Sequence, residues 1–160
     1  MKADDLQEHP EGGRFQEVFR SNVTVSRIGP GGETGSADSR TRAALTHIYF
    51  SLESGEVSAF HKVASDEVWN LYRGQGLKLH VWDGTHTPPE THILSRDSGH
   101  FCEVVPAGCW QAAEPLSGTV LAGCTVAPGF EFEDFELMET GSEEARLLAT
   151  LSNGWDRFLS

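Results

Sequence analysis

AFHKVASDEVWNLYRGQGLKLH, residues 59 to 80, reads as three short strands joined by tight turns. The first, Ser58–Val63, carries His61 and Lys62. The second, Asp66–Tyr72, opens with Asp66 and Glu67 and is bulky thereafter, with Val68, Trp69, Leu71 and Tyr72. Gly74 and Gly76 bracket Gln75, the chemistry of a tight turn. The third strand, Leu77–Trp82, carries His80. Strands joined this way bring a histidine, a carboxylate and a second histidine close together.

Working outward, most of the chain reads the same way. Strands are expected over Arg14–Ser21, Asn22–Ile28, Ala43–Leu52, Thr91–Ser95, His100–Val105, Cys109–Ala113 and Gly118–Ala127. Phe130–Glu139 (FEFEDFELME) alternates apolar residues with acids, so it is expected to be a strand with a solvated acidic face. Gly29–Ser39 is a loop by composition, expected to be mobile, and lacks the GK[ST] of a phosphate loop. Thr140–Leu151 is the one convincing helix: Thr140-Gly-Ser-Glu143 matches a capping box, and Leu147, Leu148 and Leu151 share a face. Trp155, Phe158 and Leu159 form a docking tail. Many short strands with regular turn signals and one terminal helix predict an antiparallel barrel or sandwich. We read 1–160 as a single domain, with 1–13 a lead-in segment and 140–160 the C-terminal helix and tail.

The 160 residues carry 24 acids against 12 Lys and Arg, a formal charge of −12. That balance provides no electrostatic footprint for nucleic acid or an anionic membrane surface. No apolar run approaches a spanning length. The polar, acidic start MKADDLQEHPEGG is read as neither a signal nor a transit peptide. Three cysteines without CxxC spacing suggest free thiols and a cytoplasmic protein.

Two spacings connect these strands to a known group. His61-x-Val63, three residues, Glu67, six residues, Gly74 resembles the first motif of the cupin superfamily, with Val63 in place of a second histidine. Gly99 followed by Pro106-Ala-Gly108-Cys-Trp-Gln111 resembles the second motif, with Gln111 in place of its histidine. Longer segments are similar to the Cupin-5 family of RmlC-like proteins: HPEGG (9–13), IYF (48–50), SAFHKVASDEVWNLYRG (58–74), LKLH (77–80), VVPAGCWQAA (104–113) and AGCTVAPGFEFEDFEL (122–137). Arg14, His47 and Asn70 depart from the family pattern. The resemblance implies an all-β double-stranded β-helix, the cupin jelly-roll barrel, with a short C-terminal helix. It also implies a homodimer and a ligand pocket inside the barrel. It does not supply a reaction.

Against that pattern His61 and Glu67 are the leading site residues; the plainer reading is a buried pair that stiffens the barrel. Gln111, at a metal-ligand position, can bind a metal through oxygen, hydrogen-bond a substrate, or be a satisfied core amide. The parity of β residues leaves both faces open to His80, and the resemblance draws it toward the pocket. His47 and Tyr49 share a face; a phenol inside a barrel suits a developing oxyanion, and core packing suits it equally. Trp69, Trp110 and Lys62 are candidates for substrate contact. His9, His86, His92 and His100 are expected to be solvated, and Cys109 to be an inert buried thiol.

Two chemistries fit this set. His61, Glu67 and Gln111, with His80 as fourth ligand, form an N/O site suited to Mn, Fe, Ni or Zn, weakened by the missing histidines at Val63 and Gln111. No cofactor is otherwise indicated. Without a metal, a buried Glu67 has a raised pKa and works as a base beside a carbonyl, with His61 or His80 returning the proton and Tyr49 or Gln111 holding the enolate oxygen. We therefore expect an isomerase, epimerase or lyase acting on a small polar metabolite. The alternatives are a metal-dependent enzyme and a non-catalytic small-molecule-binding protein.

Overall fold

The computed structural model describes residues 6–26 and 41–160. The loop expected at Gly29–Ser39 and the end of the strand expected at Asn22–Ile28 lie outside them. Strands are numbered in chain order. One antiparallel sheet runs β1 (Gln7–Glu8), β2 (Arg14–Arg20), β5 (Thr46–Leu52), β12 (Val120–Ala127), β7 (Asp66–Arg73), β10 (Cys102–Val105). The second runs β13 (Phe135–Leu137), β6 (Ser58–Val63), β11 (Trp110–Pro115), β8 (Gly76–Trp82), β9 (Glu90–Ser95). β3 (Thr24–Ser26) and β4 (Thr41–Ala43) pair as a small ribbon. Among the described residues, no helix is long and apolar enough to cross a membrane.

The three strands of the deciding stretch are β6, β7 and β8, but they do not lie side by side. β7 joins the first sheet, between β12 and β10, while β6 and β8 flank β11 in the second. The chain crosses between sheets at each turn, so residues on β6 and β7 meet across the interior. Phe50, Leu52, Trp69, Leu77, Leu79, Leu94, Val120, Ala122 and Cys124 fill the space between the sheets.

A second apolar layer lies on the other face of the second sheet. Phe60, Trp82, Trp110 and Ala112 pack there against Met138, Ala145, Leu148 and Phe158 of the C-terminal segment. The second sheet is covered on both faces, which is why β6 is buried at nearly every position instead of alternating. The helix α1 (Glu143–Leu151) begins later than its sequence predicts: Ser142 is the cap, accepting from the Ala145 amide at 3.1 Å. Thr140 instead donates its hydroxyl to the Ser160 carbonyl at 2.9 Å, tying the two ends of the tail together.

The long strand expected over Phe130–Glu139 is also corrected. Phe132–Asp134 is a 3₁₀ turn, and the strand is confined to Phe135–Leu137. Arg42 holds Asp134 with two bonds, of 2.6 and 3.0 Å, so at least one of the acids read as solvated is a tether. The turn frees Phe130, Phe132 and Phe135 to point at the open end of the interior. In β12 a side chain at Gly123 would collide with the Tyr72 ring, so the aromatic lies flat across the outer face there.

Candidate functional site

Between the sheets, at the end rimmed by the 130s turn, lies a cavity with about 90 Å³ of open space. Period two decides its lining. Thr46, Ile48 and Phe50 of β5, His61 and Val63 of β6, Glu67 of β7, and Cys124 and Val126 of β12 all face it. Phe15, Glu17 and Arg20 of β2 complete one wall, and Phe130, Phe132 and Phe135 the mouth.

The polar end is built around two carboxyl groups. Glu67 is 6 % exposed. Its Oε2 accepts from the Gln111 amide at 2.6 Å, and Gln111 in turn accepts from the Trp69 indole N–H at 2.8 Å. This chain of donors fixes the carboxyl against the inner wall. Burial pushes the Glu67 pKa up, against the opposing pull of His61. Glu11 also enters this space, from the lead-in segment. Its Oε1 accepts from the Ser58 hydroxyl at 2.8 Å, and its Oε2 lies 3.2 Å from both His61 Nε2 and His9 Nδ1. Burial alone would raise its pKa too; the two imidazoles and the Ser58 hydroxyl overcome this and hold it below the ordinary value. His61 Nδ1 lies 2.9 Å from the Ala59 carbonyl, which can only accept, so Nδ1 carries a proton and Nε2 is directed at Glu11.

The lead-in segment is held in place by its backbone. The Ala59 amide donates to the Glu11 carbonyl at 2.7 Å, and a side chain at Gly12 (φ 101°) would run into the Val57 carbonyl. HPEGG is thus a wall of the cavity. His9 and Glu11 are the cavity residues that sequence reasoning missed. His9, expected to be solvated, has a side chain only 6 % exposed, ringed by phenylalanines. The available signal was an acid between a proline and a glycine pair in a segment shared with a known family.

Of the expected site residues, the structure brings together His61, Glu67, Gln111 and Trp69. It does not bring His80, Tyr49, His47, Lys62 or Trp110 to them. His80 follows the parity of Trp82, away from the core-facing Leu77 and Leu79, and packs under Trp155 and Phe158 with Nδ1 2.9 Å from Thr91 Oγ1. Trp110 is on the same covered face, and Lys62 lies over its ring at 4.4 Å while pairing with Glu136. His47 and Tyr49 are on the outer face of the first sheet, where His47 bridges Thr125 Oγ1 at 2.8 Å and the Tyr72 hydroxyl at 3.1 Å. Cys109 is half-buried, outside this cavity.

The expected metal set does not fit this arrangement. His80 is on the wrong face of β8, and the Gln111 oxygen, its ligand atom, already accepts from the Trp69 indole. Among the described residues, no group of three or more His, Cys, Asp or Glu side chains is arranged to hold a metal ion.

Comparison with known proteins agrees with this architecture. The family model Cupin-5, described as "Cupin superfamily (DUF985)", matches residues 1–138. A hypothetical protein from Leishmania major superposes with a TM-score of 0.75 at 26% identity, covering 96% of this chain and 90% of that one. A Shewanella oneidensis protein gives 0.69 at 30% identity, covering 96% and 98%. KdgF from a Halomonas species gives 0.55 at 15% identity, covering 81% and 90%, a likeness of fold alone. No curated protein matches.

Proposed function

We propose, for a chain that belongs to the Cupin-5 family of the cupin superfamily, that the barrel cavity is the working site of an isomerase, epimerase or lyase acting on a small polar metabolite by proton transfer. One observation carries this reading. Two buried carboxyl groups share the cavity, and their surroundings push them in opposite directions, Glu11 toward the ionised form and Glu67 toward the protonated one. Such a divergence is how one site supplies an acid and a base at the same pH.

In this reading the Glu11–His61 pair takes the proton next to a substrate carbonyl, and the Glu67 carboxyl delivers one. The bond between Gln111 and Glu67 keeps that carboxyl aimed into the cavity. The chemistry differs from the sequence-based expectation in its partners, because His80 and Tyr49 stand elsewhere. Incubation with a panel of small carbonyl metabolites in D2O tests it. We expect deuterium to enter the carbon next to the carbonyl of one of them, and Glu67→Gln to slow this by about 10²-fold or more. Exchange at the wild-type rate in that variant removes the reading.

A non-catalytic binding protein is the second reading, favoured by the phenylalanine-rich mouth of the cavity. Exchange into no member of the panel, with saturable binding of one, would select it. We also propose a cytoplasmic homodimer. Its three free cysteines suit a reducing compartment, and its first sheet presents exposed Phe19, Tyr72 and Val104 on the outer face.

A further inference from the structure

We infer that this cavity takes a small organic cation, or the cationic end of a larger polar molecule, and discriminates against anions. The inference rests on the cavity being the working site, as proposed above, and adds the charge class of what enters it.

The donors an anion needs are committed elsewhere. Arg20 is the single Lys or Arg among the described residues lining the cavity. Its guanidinium is turned to Glu17, at 3.1 and 2.8 Å, to Glu131 at 2.7 Å, and to the Phe130 carbonyl at 3.3 Å. Four carboxyl groups line the same space: Glu11 and Glu67 inside, Glu17 and Glu131 toward the mouth. Even with Glu67 holding its proton, Glu11, Glu17 and Glu131 outnumber the one guanidinium, so an entering anion would meet an acidic field with no uncommitted guanidinium or ammonium to receive it.

The apolar walls favour a cation independently. Phe15, Phe50, Phe130, Phe132 and Phe135 surround His9, with ring centroids between 4.9 and 6.4 Å from the imidazole; Phe132 stacks on it, and Phe15, Phe50 and Phe135 meet it near right angles. Aromatic faces within about 6 Å attract a positive charge. The chain already places in this box an imidazole that points a ring nitrogen at the Glu11 carboxylate, 3.2 Å away. The same nitrogen accepts from the Glu11 amide at 3.4 Å, so His9 shows that a flat, nitrogen-bearing group fits among these rings beside a carboxylate.

Three compounds of one shape and different charge test this: n-propylamine, n-propanol and propionate, titrated into the intact protein and followed by NMR shifts of cavity resonances. We expect propylammonium to bind about tenfold or more tighter than propionate, a difference of about 1.4 kcal/mol. Its shifts should centre on His9, His61 and the mouth phenylalanines. Phe132→Ala, at an exposed rim position, should fold normally and weaken propylammonium binding without improving propionate. Equal or tighter binding of propionate overturns the inference, as does propylammonium leaving the cavity resonances unmoved. Failure here leaves the deuterium-exchange result standing. Failure of that exchange experiment leaves the charge preference standing.

Discussion

Glu11 and Glu67 line the same cavity and respond to pH with opposite signs. The folded-state pKa of Glu67 is raised above 4.5, so the folded chain holds this proton where the unfolded chain has released it. Stability therefore falls as pH rises from 4.5 through the folded value. Glu67→Gln carries no charge to bury, and its melting temperature should gain on the wild type across that window; a constant difference between the two would contradict it. Glu11 behaves in reverse. Its folded pKa is lowered, so its contribution is present above 4.5 and is lost as pH falls through the folded value. Glu11→Ala leaves His61 and His9 facing a vacated site and should cost about 3–5 kcal/mol in urea unfolding at neutral pH. That cost should shrink on acidification below 4.5.

The C-terminal helix and tail act as one element, a strap over the second sheet. Phe158 is buried in it, against Phe60 and over His80. Phe158→Ala should cost about 3–5 kcal/mol. Beneath the strap, burial drives the His80 pKa from 6.5 down to about 4, although Glu114, 3.9 Å away, pulls it up. Lys78 and Arg157, which share that glutamate, also disfavour a charged imidazole. Between pH 6.5 and about 4 the unfolded chain takes up a proton that the folded chain refuses, so stability falls as pH falls through that window. In His80→Leu the loss of melting temperature over that range should be smaller than in wild type, and an unchanged slope would show that His80 does not control it. In the first sheet, Gly123→Ala sets a methyl group against the Tyr72 ring and should cost about 1–3 kcal/mol while leaving cavity binding intact.

At the scale of the whole molecule, strands dominate and α1 is the one α-helix among the described residues. The outer face of the first sheet carries His47, Tyr49 and Tyr72 in mutual contact, with exposed Phe19 and Val104 on the same side. A second copy covering this face would bury rings that water now reaches. Light scattering at micromolar concentration should give twice the chain mass, and Tyr72→Glu, which places a charge there, should shift the mass toward the monomer. A monomeric wild type would remove the dimer.

Turn chemistry and alternation were enough to read the strands of the deciding stretch, because Gly74 and Gly76 and the bulky run after Glu67 are local signals. Motif spacing was enough to bring His61, Glu67 and Gln111 into one neighbourhood, where Gln111 hydrogen-bonds Glu67 and His61 acts on that carboxyl through its charge. Facing was a different matter. β8 is covered on both sides, so an apolar pattern could not say whether His80 looked at the cavity or at the tail, and the choice fell to the docking of Trp155 and Phe158. The 130s misled because alternation describes a strand only if the backbone stays extended, and Arg42 reaching Asp134 turns it. His9 and Glu11 lay in a proline- and glycine-punctuated segment without periodicity. Their place at the centre of the site comes from a backbone bond between Ala59 and Glu11, some 50 residues apart in the chain, a contact that no local pattern encodes.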